Sequence, residues 1–149
     1  MTRSPSLGRL DRAELLANPA RTRGYAMLHF YDEILIEAPV EHAWACFTDT
    51  SRWEEWMPAR FSDFSGPLDE VGTTFRQSVR VMGFEQRSTC TVMEFEPLRL
   101  YHEHMEPGPM ENWFRCEPDD EATRFVFEAE YELPARLPGF VKRAVASGW

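Results

Sequence analysis

Residues 36–58, IEAPVEHAWACFTDTSRWEEWMP, set a strand end, a helix and a second short helix in succession with no residue to spare. That order confines the chain to few folds. Ile36 closes an apolar–polar alternation reaching back through Ile34 to Phe30, which is the period of a strand. Pro39 follows, and its fixed φ and missing N–H suit the first turn of a helix. Val40, Ala43, Trp44 and Phe47 then fall at i, i+3, i+4 and i+7 and make one apolar stripe, while Glu41, His42 and Thr48 lie elsewhere on the wheel. Asp49 or Thr50 caps a second helix carrying Trp53 and Trp56, which Pro58 stops.

From Gly66 and Pro67 onward the chain breaks into extended segments separated by Gly, Pro or Asp clusters. Residues 71–82, 84–95, 98–106, 110–117 and 123–133 read as consecutive antiparallel strands; 60–65 adds one more and 28–37 is the first, making seven. The last strand sets its own register: Phe125, Phe127, Ala129, Tyr131 and Leu133 alternate with Val126, Glu128, Glu130 and Glu132. A slip of one residue buries three carboxylates, so the aromatic set is expected inward. After Pro134 an amphipathic helix is expected, with Pro138 in its first turn and Phe140, Val141, Ala144 and Val145 on one side. Over residues 138–149 it spans only about 18 Å.

Ile36-x-Ala38-Pro39 with Trp44, Asp49 and Trp53-x-x-Trp56-x-Pro58, then Glu96-Pro97-x-Arg99 and Ala122-Thr123-Arg124, follow one another in an order that resembles the START/Bet v1-like (SRPBCC) superfamily, in its polyketide cyclase/dehydrase-like branch. The resemblance covers Phe30 to Trp149, within a domain placed at residues 25–149. It implies an α+β helix-grip fold: a seven-stranded curved antiparallel sheet wrapped on a C-terminal helix, with two short helices after the first strand. It also implies a cavity for a hydrophobic molecule without naming that molecule. The family's closing helix is usually longer than residues 138–149 allow, so the chain is expected to lack part of it or to have the gap filled by a partner.

The 149 residues fit one domain, large enough to bury roughly two thirds of its unfolded surface. A net charge of −9 argues against a phosphate-backbone footprint and so against nucleic-acid partners. No apolar run approaches the ~20 residues of a membrane span, and the N-terminus MTRSPSLGRL lacks a signal-peptide core, so no stable membrane insertion and a cytoplasmic location are expected. The three cysteines are read as thiols, with Cys90 and Cys116 on strands that another strand separates. Residues 1–24 read either as a mobile arm or as a segment that covers a pocket or contacts a partner through Leu7, Leu10, Leu15 and Leu16.

Few residues announce chemistry. Gln86, Ser88, Cys90 and Val92 share one face of their strand, where Gln86 and Ser88 either orient a polar group of an apolar ligand or mark a reversed or bulged face. His102 and His104 share a face with Leu98 and Leu100, and a His-x-His pair supplies either hydrogen bonds to a cavity, acid–base groups or two metal ligands. No third ligand is spaced to complete a metal site, so no metal and no cofactor are expected. Asp32 is the one acid on the Phe30, Ile34 and Ile36 face, either a buried carboxylate with a partner or a solvated edge residue. Arg76 and Arg80 read outward, opposite Phe75, Val79 and Val81. Some aromatase/cyclases that resemble this chain hold a polyketide oxygen with a cavity arginine and tyrosine, and no arginine here reads clearly inward, a departure that counts against that activity; Tyr131 is the better polar handle.

The expected function is non-covalent binding of a small-to-medium hydrophobic ligand, aromatic, polyketide-like or lipid-like, by Phe75, Val79, Gln86, Ser88, Val92, Leu100, His102, His104, Phe127 and Tyr131. The alternatives are a cyclase, aromatase or dehydratase that works by positioning its substrate, with His102, Tyr131 and Asp32 as the catalytic candidates, and a module that binds a protein or delivers a lipid or quinone. A homodimer is left open.

Overall fold

The computed structural model describes residues 25–134 of the chain. The strands are β1 (Tyr25–Ile36), β2 (Ala59–Ser62), β3 (Thr74–Val81), β4 (Phe84–Glu96), β5 (Leu100–Glu106), β6 (Met110–Asp119) and β7 (Ala122–Pro134). Between β1 and β2 lie α1 (Val40–Thr48), a single 3-10 turn (Thr50–Arg52) and α2 (Trp53–Trp56). All seven strands form one sheet in the order β1-β7-β6-β5-β4-β3-β2, and every pair from β2 to β7 is antiparallel. The seven strands and two short helices expected from the sequence are present. The arm at residues 1–24 and the closing helix at 138–149 lie outside the described residues.

Local chemistry accounts for the joints. Pro39 is the N-cap of α1, extended at φ −63° and ψ 155°, and its carbonyl accepts from the N–H groups of His42 and Ala43. The Asp49 carboxylate accepts from the Ser51 N–H at 3.2 Å and so caps the 3-10 turn. β3 and β4 are joined by Met82 and Gly83, both at positive φ, which is the two-residue hairpin geometry whose twist matches the flanking strands. Thr123, fully buried on β7, donates its hydroxyl to the Ala38 carbonyl at 2.8 Å and ties the last strand to the entrance of α1.

The stripe predicted for α1 is buried through Ala43, Trp44 and Phe47, with Val40 packed partly against it. Phe47 is the hub: its ring centroid lies 5.0 Å from Phe114, 5.3 Å from Phe125 and 5.7 Å from Tyr101 on the sheet. Trp53 donates its indole N–H to the Phe47 carbonyl and meets Phe75 and Phe61 edge-on. These rings place both short helices over one end of the sheet's inner face.

The register shifts between Val92 and Glu94, so Met93 is an extra residue on β4. Val92 stands opposite Glu103, but beyond the bulge it is Phe95, and not Glu94, that joins the inner face opposite Tyr101. Phe95 there packs at 5.5 Å against Trp44.

Candidate functional site

The cross-strand register arranges the inner face in rows. One is aromatic: Phe95, Tyr101, Phe114 and Phe127 stand opposite one another across β4 to β7. The next, two residues along, reads Val92, Glu103, Asn112 and Ala129. The third is Phe75, Cys90, Met105, Met110 and Tyr131. A polar pair therefore lies between two apolar rows. Toward the β2–β3 edge the same face continues with Gln77 opposite Ser88 and Val79 opposite Gln86.

Glu103 is only 5% exposed and Asn112 only 4%. The Tyr101 hydroxyl donates to Glu103 Oε2 at 2.7 Å, and Asn112 Nδ2 donates to Glu103 Oε1 at 3.0 Å. The same amide nitrogen lies 3.0 Å from the Met105 sulfur. Two atoms are left over: Asn112 Oδ1 and the Tyr131 hydroxyl are buried without a hydrogen-bond partner among the described residues. Tyr131 is 8% exposed, and its ring stacks on Phe30 at 5.3 Å.

Burial penalises the charged form of each of these groups. It raises the Glu103 carboxyl above the ordinary carboxylate range, against the opposing pull of the bonds from Asn112 and Tyr101. It raises the Tyr101 phenol far above its usual value, with the neighbouring Glu103 adding to the effect, and raises Tyr131 as well. Cys90 and Cys116 are raised by burial too, Cys116 to about 11, so both remain thiols at neutral pH; neither is in a disulfide.

Leu100, His102 and His104 are on the other face, which corrects their assignment to the inner wall. β5 turns Tyr101, Glu103 and Met105 inward, so Leu100 faces Arg115, His102 faces Trp113 and His104 faces Glu111 on the outer side. The His102 ring stacks on Trp113 at 4.7 Å. Its Nε2 lies 2.6 Å from Glu111 and its Nδ1 3.2 Å from Glu94. His104 pairs with Glu111 through Nδ1 and with Glu106 through Nε2 at 2.9 Å. The bond to Glu111 raises the His104 imidazole above its ordinary value despite partial burial. Among the described residues no three His, Cys, Asp or Glu side chains are set to hold a metal ion. Asp32 is exposed and accepts from the Glu33 N–H at 2.9 Å, which makes it the solvated edge residue rather than a buried base.

A family model described as polyketide cyclase/dehydrase and lipid transport matches residues 27–149. The chain belongs to that family. Solved structures agree on the fold. An aromatase/cyclase from a Streptomyces species is 19% identical with a TM-score of 0.61, covering 71% of this chain and 68% of its own. A protein of Thermus thermophilus is 21% identical at a TM-score of 0.67 and covers 81% and 85%. A norcoclaurine synthase from Thalictrum flavum is 14% identical at 0.61 and covers 83% and 84%. Comparison with curated proteins gives no match.

The residues expected from the sequence to contact a ligand divide between the two faces of the sheet. Phe75, Val92, Phe127 and Tyr131 lie on the inner face, in or beside the rows that flank Glu103. Val79, Gln86 and Ser88 are on the same face toward the β2–β3 edge, where Gln86 is exposed. Tyr101, Glu103 and Asn112 escaped the sequence reading. A signal was present in β5, where Tyr101 and Met105 flank Glu103 at the spacing of one strand face. No helix among the described residues is long and apolar enough to cross a membrane.

Proposed function

We propose that the protein binds a small-to-medium hydrophobic molecule, aromatic, polyketide-like or lipid-like, non-covalently against the inner face of the sheet. The observation that carries this reading is the row pattern itself: aromatic and aliphatic side chains above and below a short buried polar strip. Binding sites for small apolar molecules combine such walls with a few fixed polar groups that orient the ligand. Family membership supports a hydrophobic ligand or a cyclase role at this coarser level. Phe75, Val92, Phe127 and Tyr131 are assigned to the wall, with Val79, Gln86 and Ser88 at its edge. Leu100, His102 and His104 are left out because they face away.

Cyclase, aromatase or dehydratase activity is the second reading, favoured by one feature. Glu103 is a buried carboxyl with a raised pKa bonded to a phenol, and a carboxyl perturbed by burial in this way is a candidate for general acid–base chemistry. Native mass spectrometry with extraction of copurified small molecules tests the binding reading. A bound apolar molecule recovered unchanged after incubation supports binding alone, its conversion supports the enzyme, and a chain that neither carries nor takes up any apolar molecule refutes both.

A further inference from the structure

Two buried polar atoms on the inner face have no hydrogen-bond partner among the described residues. Asn112 Oδ1 is an acceptor only, and it is buried with no donor among the described residues. The Tyr131 hydroxyl is buried and equally unpartnered. Leaving such atoms unmet costs roughly 1–3 kcal/mol each, and folded proteins rarely do so. The two residues are diagonal neighbours on one face, since Asn112 stands opposite Ala129 and Met110 opposite Tyr131. They are therefore within reach of a single bound molecule.

We propose that this site selects an uncharged ligand bearing a hydroxyl group, which donates to Asn112 Oδ1 and accepts from the Tyr131 hydroxyl, and that it rejects carboxylate ligands of the same size. The inference rests on the reading that the inner face holds a ligand. A hydroxyl both donates and accepts, so one such group can meet Asn112 Oδ1 and the Tyr131 hydroxyl together. A carboxylate offers no proton to Asn112 Oδ1 and sets its lone pairs against it. It also enters beside Glu103 with no cation among the described residues to receive it. The described arginines on the sheet face outward, Arg115 toward Glu128 at 3.0 Å, Arg76 toward Asp63 and Arg124 toward Asp119. An ammonium ligand is disfavoured for a different reason: it would give up its hydration shell between the apolar rows that flank the polar strip.

The test uses the full chain and a neutral fluorescent probe, N-phenyl-1-naphthylamine, displaced near neutral pH by naphthalene, 2-naphthol, 2-naphthoate or 1-naphthylmethylammonium. 2-Naphthol is expected to displace the probe at a concentration at least about tenfold below that of naphthalene, and both charged compounds at higher concentrations than naphthalene. Tyr131→Phe, which removes one unpartnered hydroxyl and keeps the ring, is expected to shrink the advantage of 2-naphthol, the ratio between the displacing concentrations of naphthalene and 2-naphthol. Asn112→Leu is expected to abolish the advantage, with circular dichroism reporting whether that variant stays folded. Tyr131→Phe decides the outcome if it does not. Equal displacement by naphthalene and 2-naphthol, tightest binding of either charged compound, or an unchanged 2-naphthol advantage in Tyr131→Phe overturns the proposal while leaving hydrophobic binding in place. A chain that does not take up the probe refutes the binding reading itself, and this inference with it.

Discussion

Replacing Glu103 by glutamine isolates the one carboxyl that is buried among the described residues. Glutamine keeps the volume and an acceptor for Asn112, but it cannot titrate. The direction of the effect follows from linkage. Burial raises the native-state value of Glu103 above the ordinary 4.5, so the native state binds a proton more tightly than the unfolded chain does. The stabilisation conferred by that proton is complete below the unfolded value and is lost as pH rises through the folded one. Over that interval a single group changes stability by about 1.4 kcal/mol per pH unit. The difference in unfolding free energy, wild type minus Glu103→Gln, is therefore expected to fall with this slope from about pH 4.5 upward and to level off above the folded value. Urea denaturation followed by tryptophan fluorescence from about pH 5 to about pH 8 measures it, because contributions of all other titrating groups cancel in the difference. A difference that stays flat over this range, or one that rises with pH, refutes the claim that burial dominates over the bonds from Tyr101 and Asn112.

Phe47→Ala removes the ring against which Tyr101, Phe114 and Phe125 pack, so its cost is expected near the top of the usual ~3–5 kcal/mol for such truncations, with a melting point lower by about 8–20 °C in thermal unfolding. A loss below about 2 kcal/mol would mean that the helices are not anchored through this ring. Thr123→Val keeps the volume but strips the Ala38 carbonyl of its donor, and calorimetry should register about 1–2 kcal/mol of destabilisation. Glu111→Gln should lower the His104 imidazole pKa toward 6.5 in an NMR titration, because the bond to Glu111 is the largest cause of its elevation; the stabilisation that His104 contributes is present below that ordinary value and disappears as pH climbs through the folded one. An unmoved His104 titration contradicts the assignment.

The sheet and both short helices were legible because their signals were local and redundant. On β7 a wrong register buries three glutamates, and on α1 four apolar residues share one stripe, so neither element had a competing solution. The polar strip was much harder to read. β5 reads LYHEHME, in which both alternating sets contain apolar and titratable residues, so alternation cannot decide which set is buried. The tie is broken by partners distant in sequence: Tyr101 and Asn112 stabilise Glu103 inside, while Glu94 and Glu111 hold His102 outside. That pairing exists only once β4, β5 and β6 are in register. The inward positions on β3 and β7 were simpler, since their outward neighbours, Arg76, Arg80, Glu128 and Glu130, tolerate no other placement.

The extra residue at Met93 makes β4 two strands in opposite phase under one name. Its consequence concerns chain length rather than composition. Deleting Met93 would leave Val92 opposite Glu103, Glu94 opposite His102 and Phe95 opposite Tyr101, so β4 would run on as a regular strand with no side chain turned over. An insertion between Cys90 and Val92, with the pairing of Val92 and Phe95 kept, would by contrast carry Ser88 and Cys90 to the opposite side. Substitutions along the two halves of this strand can thus be made independently of one another, but insertions and deletions cannot, and a library that varies this wall must hold the number of residues on each side of Met93 constant.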